Sequence, residues 1–168
     1  RFSADSFLEA VQRHGCTHAF AVPTQFIVLL ESGRIPSYDT SSLKVFMSGG
    51  QAIASDTKAG IARELPHVRL YECYGITEGF STLASPEDKL LAGKDKTVGM
   101  PLFGGELVIL DDAGNILPAG EVGDITGYGP ALMTGYYRDP EATDACMKDG
   151  WLDTGDMGYL SNGYIYIV

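Results

Sequence analysis

The chain has 168 residues, 45% of them hydrophobic and 20% charged, which is enough length and apolar material to bury a core and excludes a disordered chain. Twelve Lys and Arg against 22 Asp and Glu give a net charge of −10 and an isoelectric point near 4.6, so there is no cationic stripe for nucleic acid or anionic lipid, and neither is an expected partner. The three cysteines, Cys16, Cys73 and Cys146, are odd in number and form no C-x-x-C pair; they fit reduced thiols in a cytoplasmic setting better than a disulfide framework or a thiolate metal site.

In chain order, residues 3–14 carry Phe7, Leu8, Ala10 and Val11 at helical spacing, with Ser3 or Ser6 as N-cap and Gly15 as the stop. Residues 18–22 read as a short buried strand. Pro23 then opens a second apolar helix over 24–32, closed by Gly33. A strand over 44–48, a Gly49-Gly50 turn, a helix over 55–64 and a strand over 69–73 follow. Strands alternating with helices predict parallel β-α-β units.

After Ile76 the pattern changes. From Thr97 onward Gly, Pro and Asp punctuate short alternating strands at 106–110, 122–126 and 164–168, predicting a small, distorted β-barrel or a meander. Residues 111–114 read as a hairpin turn, and Asp139-Pro140 as an N-cap with proline at the first position of a helix ending near Met147. The expected boundary falls between residues 83 and 96: an α/β portion over 1–90 and a β-barrel-like portion over 91–168. No apolar run approaches the roughly 20 residues of a membrane span. Arg1 at the start and an uncapped strand pattern at the end predict a fragment of a longer chain.

The chemistry concentrates in Tyr71-Glu72-Cys73-Tyr74-Gly75-Ile76-Thr77-Glu78-Gly79. This segment leaves a predicted strand at its carboxyl end, where open α/β sheets place ligands. An aromatic ring can stack on a base, Gly75 admits close backbone approach, the Thr77 hydroxyl can donate to a phosphate, and Glu78 is a hard oxygen ligand suited to Mg²⁺. A strand end followed by a helix cap would account for the same residues. Ser48-Gly49-Gly50-Gln51-Ala52 could turn backbone N–H groups toward a ligand at a helix N-terminus, or form a tight turn. Within Trp151-Leu152-Asp153-Thr154-Gly155-Asp156, Asp156 could accept two charge-assisted hydrogen bonds from a ribose diol, at about 1.5–3 kcal/mol each, or belong to an Asp-Gly hairpin. Gly127-Tyr128-Gly129-Pro130 reads as a bend. His14 and His18 straddle the Gly15 stop and His67 lies beside a proline, so none is an expected metal ligand.

Taken together and in order, these segments resemble the superfamily of adenylate-forming enzymes, which includes acyl- and aryl-CoA synthetases, peptide-synthetase adenylation domains and beetle luciferases. Residues 74–78 resemble the Y-G-x-T-E signature and residues 48–52 the S-G-G-A-P segment. Gly120-Glu121-Val122-Gly123-Asp124-Ile125 through Pro140-Glu141-Ala142-Thr143 is similar to G-E-x-G-E-I…P-E-A-T, and Gly150-Trp151…Thr154-Gly155-Asp156 to G-W-x-x-T-G-D. The resemblance spans 21–168. Gln51-Ala52 replaces the usual Ala-Pro, and Tyr128 stands where many relatives have Arg.

The resemblance implies an acid–thiol ligase: a carboxylate attacks the α-phosphate of ATP to give an acyl-adenylate and pyrophosphate, and coenzyme A then displaces AMP. It implies ATP/AMP, Mg²⁺ and coenzyme A as cofactors and a small carboxylic acid as substrate, and leaves oligomeric state open. Carried onto this sequence, the implied catalytic residues are Thr77, for the α-phosphate, and Glu78, the metal ligand. Nucleotide contacts fall on Gly50, Gln51, Ala52, Glu72, Cys73, Tyr74, Gly75, Thr77 and Asp156. The acyl pocket would be lined from 22–27, 47–50, Cys73 and 79–82. The family's phosphate loop is expected upstream, since residues 93–97 lack its glycine spacing and Lys94 reads as a solvated residue; the hinge and the lysine-bearing C-terminal domain are expected downstream. These 168 residues alone are therefore expected not to turn over ATP. A carrier-loading adenylation domain and a non-catalytic nucleotide-binding relative are the alternatives, and a luciferase-like oxygenase ranks last.

Overall fold

The structure, a computed structural model, describes residues 2–90, 96–102 and 104–168, with the side chain of Leu90 excepted. Lys94 lies outside them. The chain divides into two compact units: one runs up to Cys73 and takes in Ser85–Glu87, and the other comprises Tyr74–Ala84 and Asp88–Val168.

The first unit is α/β. Helix α1 (Ala4–His14) is capped by the Ser3 hydroxyl at its start and by Gly15 in the left-handed region at its end, as the sequence predicts. Strand β1 (His18–Ala21) leads through Val22 into α2 (Pro23–Glu31), where the Gln25 side chain accepts from the Val22 amide at 2.9 Å. Strand β2 (Val45–Ser48), helix α3 (Ser55–Glu64) and strand β3 (Arg69–Gly75) complete it. β1, β2 and β3 pair in parallel, with His18 opposite Val45 and Ser48 opposite Glu72. The core holds Leu8, Val11, Phe26, Leu29, Phe46, Ile61 and Leu65, all fully buried. Phe46 stacks on Phe7 at 5.6 Å and meets the edge of Phe26 at 4.7 Å. Phe26, expected in the acyl pocket, is core instead.

The second unit starts with the last two residues of β3, a tight turn, and β4 (Ser81–Ala84), which pairs antiparallel with β5 (Met100–Pro101). A short helix α4 (Pro86–Leu90) separates these strands in sequence. β4 and α4 were not expected from the sequence. The rest is an antiparallel sheet curled into a half-barrel, in the order β10-β9-β7-β6 with β8 on β9: β6 (Glu106–Leu110), β7 (Gly123–Tyr128), β8 (Met147–Lys148), β9 (Trp151–Ser161) and β10 (Tyr164–Ile167). Ile109, Ile125 and Ile165 form its core. Helix α5 (Pro140–Cys146) is capped by Asp139, whose carboxylate accepts from the Ala142 amide at 2.9 Å.

Two expectations are corrected. The strand expected over 122–126 runs on through Gly127 and Tyr128, because Gly127 lies flat against the Phe80 ring, where an added Cβ would sit 2.5 Å from Phe80 Cδ2. No helix follows Thr77-Glu78, which instead occupy the corner of the turn between β3 and β4, closed by Gly79 N donating to Ile76 O at 3.2 Å.

Candidate active site

Seven consecutive strand residues bring the chain to Gly75, and the turn at 76–79 then presents Thr77 and Glu78 outward. Gly79 is required there on two counts. Its φ of 113° is rarely open to an L side chain, and an added Cβ would lie 1.9 Å from Ala131 O. Met133 N donates to Glu78 O at 2.7 Å, fastening the turn to residues 131–133.

Asp156 is positioned by a bulge. Along β7 and β9, Asp124 pairs with Met157 and Thr126 with Asp153, so Thr154, Gly155 and Asp156 together oppose the single residue Ile125. Each fills a need that the bulge creates. The Thr154 hydroxyl donates to Ile125 O at 2.8 Å, Gly155 takes a φ of 73°, and Asp156 is re-aimed off the ladder. The Tyr74 hydroxyl donates to Asp156 Oδ2 at 2.8 Å across 82 positions of sequence. Burial pushes the Tyr74 phenol well above its usual range; a hydrogen bond with Thr154 opposes that and the Asp156 carboxylate reinforces it. The ring meets the edge of Phe80, which is core.

The Glu78 carboxylate accepts from the Tyr136 hydroxyl at 2.6 Å. That bond holds Glu78 below the ordinary carboxyl value, and pushes the Tyr136 phenol up to about 12. Both side chains line a cleft of about 260 Å³ whose far wall is Leu152, Asp153, Thr154 and Gly155, the bulge that carries Asp156. A larger cavity of about 580 Å³ adjoins this cleft, sharing Ala145, Cys146 and Asp153 with it, and its wall also carries Asp111, Asp112, Asp124, Asp144 and Asp149. A wall with so many carboxylates disfavours a polyphosphate.

The remaining candidates belong to the first unit. Gly50, Gln51 and Ala52 are exposed in the loop after β2, with α3 starting only at Ser55 and its N-terminus lacking a side-chain cap. Gly49 packs under Cys73, where a Cβ would meet Sγ at 2.6 Å. The Cys73 thiol donates to Ser48 O at 3.1 Å, and burial raises its pKa. Glu72 is only 8% exposed, and Lys58 reaches its carboxylate at 2.7 Å. The Glu72 side chain therefore faces a lysine. Sequence reasoning missed both Lys58 and Tyr136. Lys58 carries no visible signal, and Tyr136 lies inside the matched block from Gly120 to Thr143, where nothing marks its hydroxyl for Glu78. Among the described residues no group of three or more His, Cys, Asp or Glu is placed to hold a metal, and no helix is long and apolar enough to cross a membrane.

The family model for AMP-binding enzymes matches residues 1–137. The chain belongs to that family of adenylate-forming enzymes. Over 163 residues it is 36% identical to luciferin 4-monooxygenase of Nipponoluciola cruciata, covering 95% of this chain and 29% of that protein. It is 34% identical to 4-coumarate–CoA ligase-like 6 of Oryza sativa subsp. japonica, covering 100% of this chain and 29% of the relative. The O-succinylbenzoate coenzyme A synthetase of Bacillus subtilis, solved in complex with ATP and magnesium ion, superposes with a TM-score of 0.85 at 30% identity, covering 99% of this chain and 34% of that one. The chain thus spans about a third of the length of the AMP-binding enzymes it resembles. The matches to the last two relatives take in Asp156, which lies beyond the segment that the family model covers.

Proposed function

We propose that this chain carries the nucleotide-binding part of an AMP-forming carboxylate–CoA ligase, a cytoplasmic enzyme that adenylates a small carboxylic acid and transfers the acyl group to coenzyme A. The observation that carries the reading is the arrangement in the second unit: an exposed Thr77-Glu78 corner, the Glu78–Tyr136 cleft, and an aspartate thrown out of a bulge onto the Tyr74 hydroxyl. A CoA ligase and a CoA synthetase among the relatives support the acceptor.

In this reading the Thr77 hydroxyl donates to an oxygen of the α-phosphate. Asp156, with Oδ2 engaged by Tyr74, offers Oδ1 to a ribose hydroxyl. Nucleotide contacts are assigned in the second unit to the Tyr74 ring and Gly75, and in the first unit to Gly50, Gln51, Ala52, Glu72 and Cys73. The substrate carboxylate attacks the α-phosphorus, the bond to pyrophosphate breaks, and the thiol sulfur then attacks the acyl carbon as AMP leaves. The chain's own contribution is positioning and charge placement.

A single partly exposed carboxylate, with no accompanying cluster among the described residues, does not make a protein cage for a metal, but it fits Mg²⁺, which keeps its waters and binds through one or two carboxylates plus substrate phosphates. Glu78 would hold it, and the ion would supply charge neutralisation on the phosphate oxygens. Residues 1–90 would supply the acyl and adenine contacts, and residues 91–168 the ribose contact. With Phe26 and Phe80 committed to core, Met47 and Ile27 are larger apolar side chains left in those segments for a hydrophobic monocarboxylate, aromatic or of medium chain.

The test is carboxylate-dependent ATP–pyrophosphate exchange by the full-length polypeptide across aryl, fatty and amino acids, with and without coenzyme A. Exchange with aryl or fatty acids followed by thioester formation is expected. Amino-acid activation alone would point to a carrier-loading domain, and no exchange with any acid to a non-catalytic relative. Glu78→Gln should slow the exchange roughly ten- to a hundredfold while leaving the thermal midpoint in place; an unchanged rate removes Glu78 as metal ligand.

A further inference from the structure

Glu78 sits on the corner of a four-residue turn, with three rotatable bonds and a partly exposed carboxylate. Within the turn the carboxylate meets only the amide of Glu78 itself, and the stronger hold comes from outside the turn. The chain supplies that from residues 131–143. Tyr136 reaches Glu78 Oε1 at 2.6 Å, and Tyr136 is itself pinned: its amide donates to Thr143 Oγ1 at 2.9 Å, and that hydroxyl donates to Asp139 O at 2.8 Å. Asp139 caps α5, so the tie ends on a helix terminus. The same stretch grips the backbone of the turn through Met133 N to Glu78 O and the contact of Gly79 with Ala131 O. Backbone and side chain of Glu78 are therefore set by one short segment.

We propose that Tyr136 is a positioning residue for Glu78: by directing its hydroxyl proton at Oε1 it fixes the carboxylate rotamer so that Oε2 faces the cleft and meets the divalent cation. This rests on the reading of Glu78 as the metal ligand. A protonated phenol is a poor ligand for Mg²⁺, so Tyr136 acts through the carboxylate. Partners that orient a ligating group in this way commonly change metal affinity ten- to a hundredfold, and an exposed tie belongs at the lower end.

The experiment uses Mn²⁺ in place of Mg²⁺ and the full-length polypeptide saturated with a non-hydrolysable ATP analogue, with bound Mn²⁺ followed by electron paramagnetic resonance. Tyr136→Phe should weaken Mn²⁺ binding about tenfold, leaving the thermal midpoint and the metal-free affinity for AMP at wild-type values. Glu78→Gln is the reference. If Glu78→Gln weakens Mn²⁺ binding and Tyr136→Phe does not, the proposal is overturned and the reading of Glu78 survives. If neither substitution changes Mn²⁺ binding, both are overturned. If Tyr136→Phe lowers metal-free AMP affinity or the thermal midpoint to the same degree as Mn²⁺ affinity, Tyr136 is general scaffolding and the proposal falls.

Discussion

The Lys58–Glu72 pair is the clearest case of a single contact that the sequence hides. Glu72 stands in β3, nearly buried, and α3 brings Lys58 to 2.7 Å from it. Removing the lysine takes away the cation that faces a nearly buried carboxylate. Lys58→Met should therefore cost about 1–3 kcal/mol, read from urea denaturation, and the double variant with Glu72→Gln should recover most of that. A Lys58→Met protein as stable as wild type would mean that Glu72 finds its compensation elsewhere. The motif residues were legible because the chemistry needs their types: hydroxyl, carboxylate and ring in Tyr74, Thr77, Glu78 and Asp156. Their partners were not, because Tyr74–Asp156 and Glu78–Tyr136 are separated by 82 and 58 positions and a hydroxyl-to-carboxylate bond leaves no periodic trace.

Elements of the first unit were readable because their signals are local. Apolar spacing with a serine cap and a glycine stop marks α1, and apolar runs bounded by Gly49-Gly50 and Tyr74-Gly75 mark β2 and β3. Their packing rests on Phe46, which sits in the central strand of three and touches two other aromatic rings. Phe46→Ala should cost about 3–5 kcal/mol in a denaturant melt, and a loss below about 1 kcal/mol would show that the site collapses to refill itself. In the second unit the same local rules misled. Asp153, Gly155 and Asp156 are turn formers, so the segment admitted a hairpin reading, yet the structure carries it as a bulge inside the 11-residue strand β9. β4 escaped notice because Ser81 and Thr82 leave it no apolar run, the Thr82 hydroxyl being spent on Val98 O.

At the scale of the molecule, charge governs the response to acid. Asp5 is held below its ordinary value by a hydrogen bond from Arg34, Asp39 by the Ser41 amide, Glu87 by Arg69 and Asp111 by Asn115. Each folded-state value is depressed, so each contribution is present above the unfolded value and fades as pH falls through the folded one. All four groups are exposed, so each effect is small. Acting against them, the charge of −10 repels itself at neutral pH and is relieved on acidification. The thermal midpoint should therefore peak on the acid side of neutrality and decline below about pH 4, measured in dilute solution because solubility is least near the isoelectric point of 4.6. A midpoint still rising at about pH 3 would show that self-repulsion outweighs every native carboxylate contact. Observation of such transitions is helped by one residue. Trp151 is the sole tryptophan of the chain, lies within the second unit and packs at 5.5 Å on Tyr128. Its emission colour is thus a built-in lamp for one half of the polypeptide, dark to whatever happens around Phe46. Light and circular dichroism recorded on the same sample would tell the melting of the half-barrel apart from that of the parallel sheet.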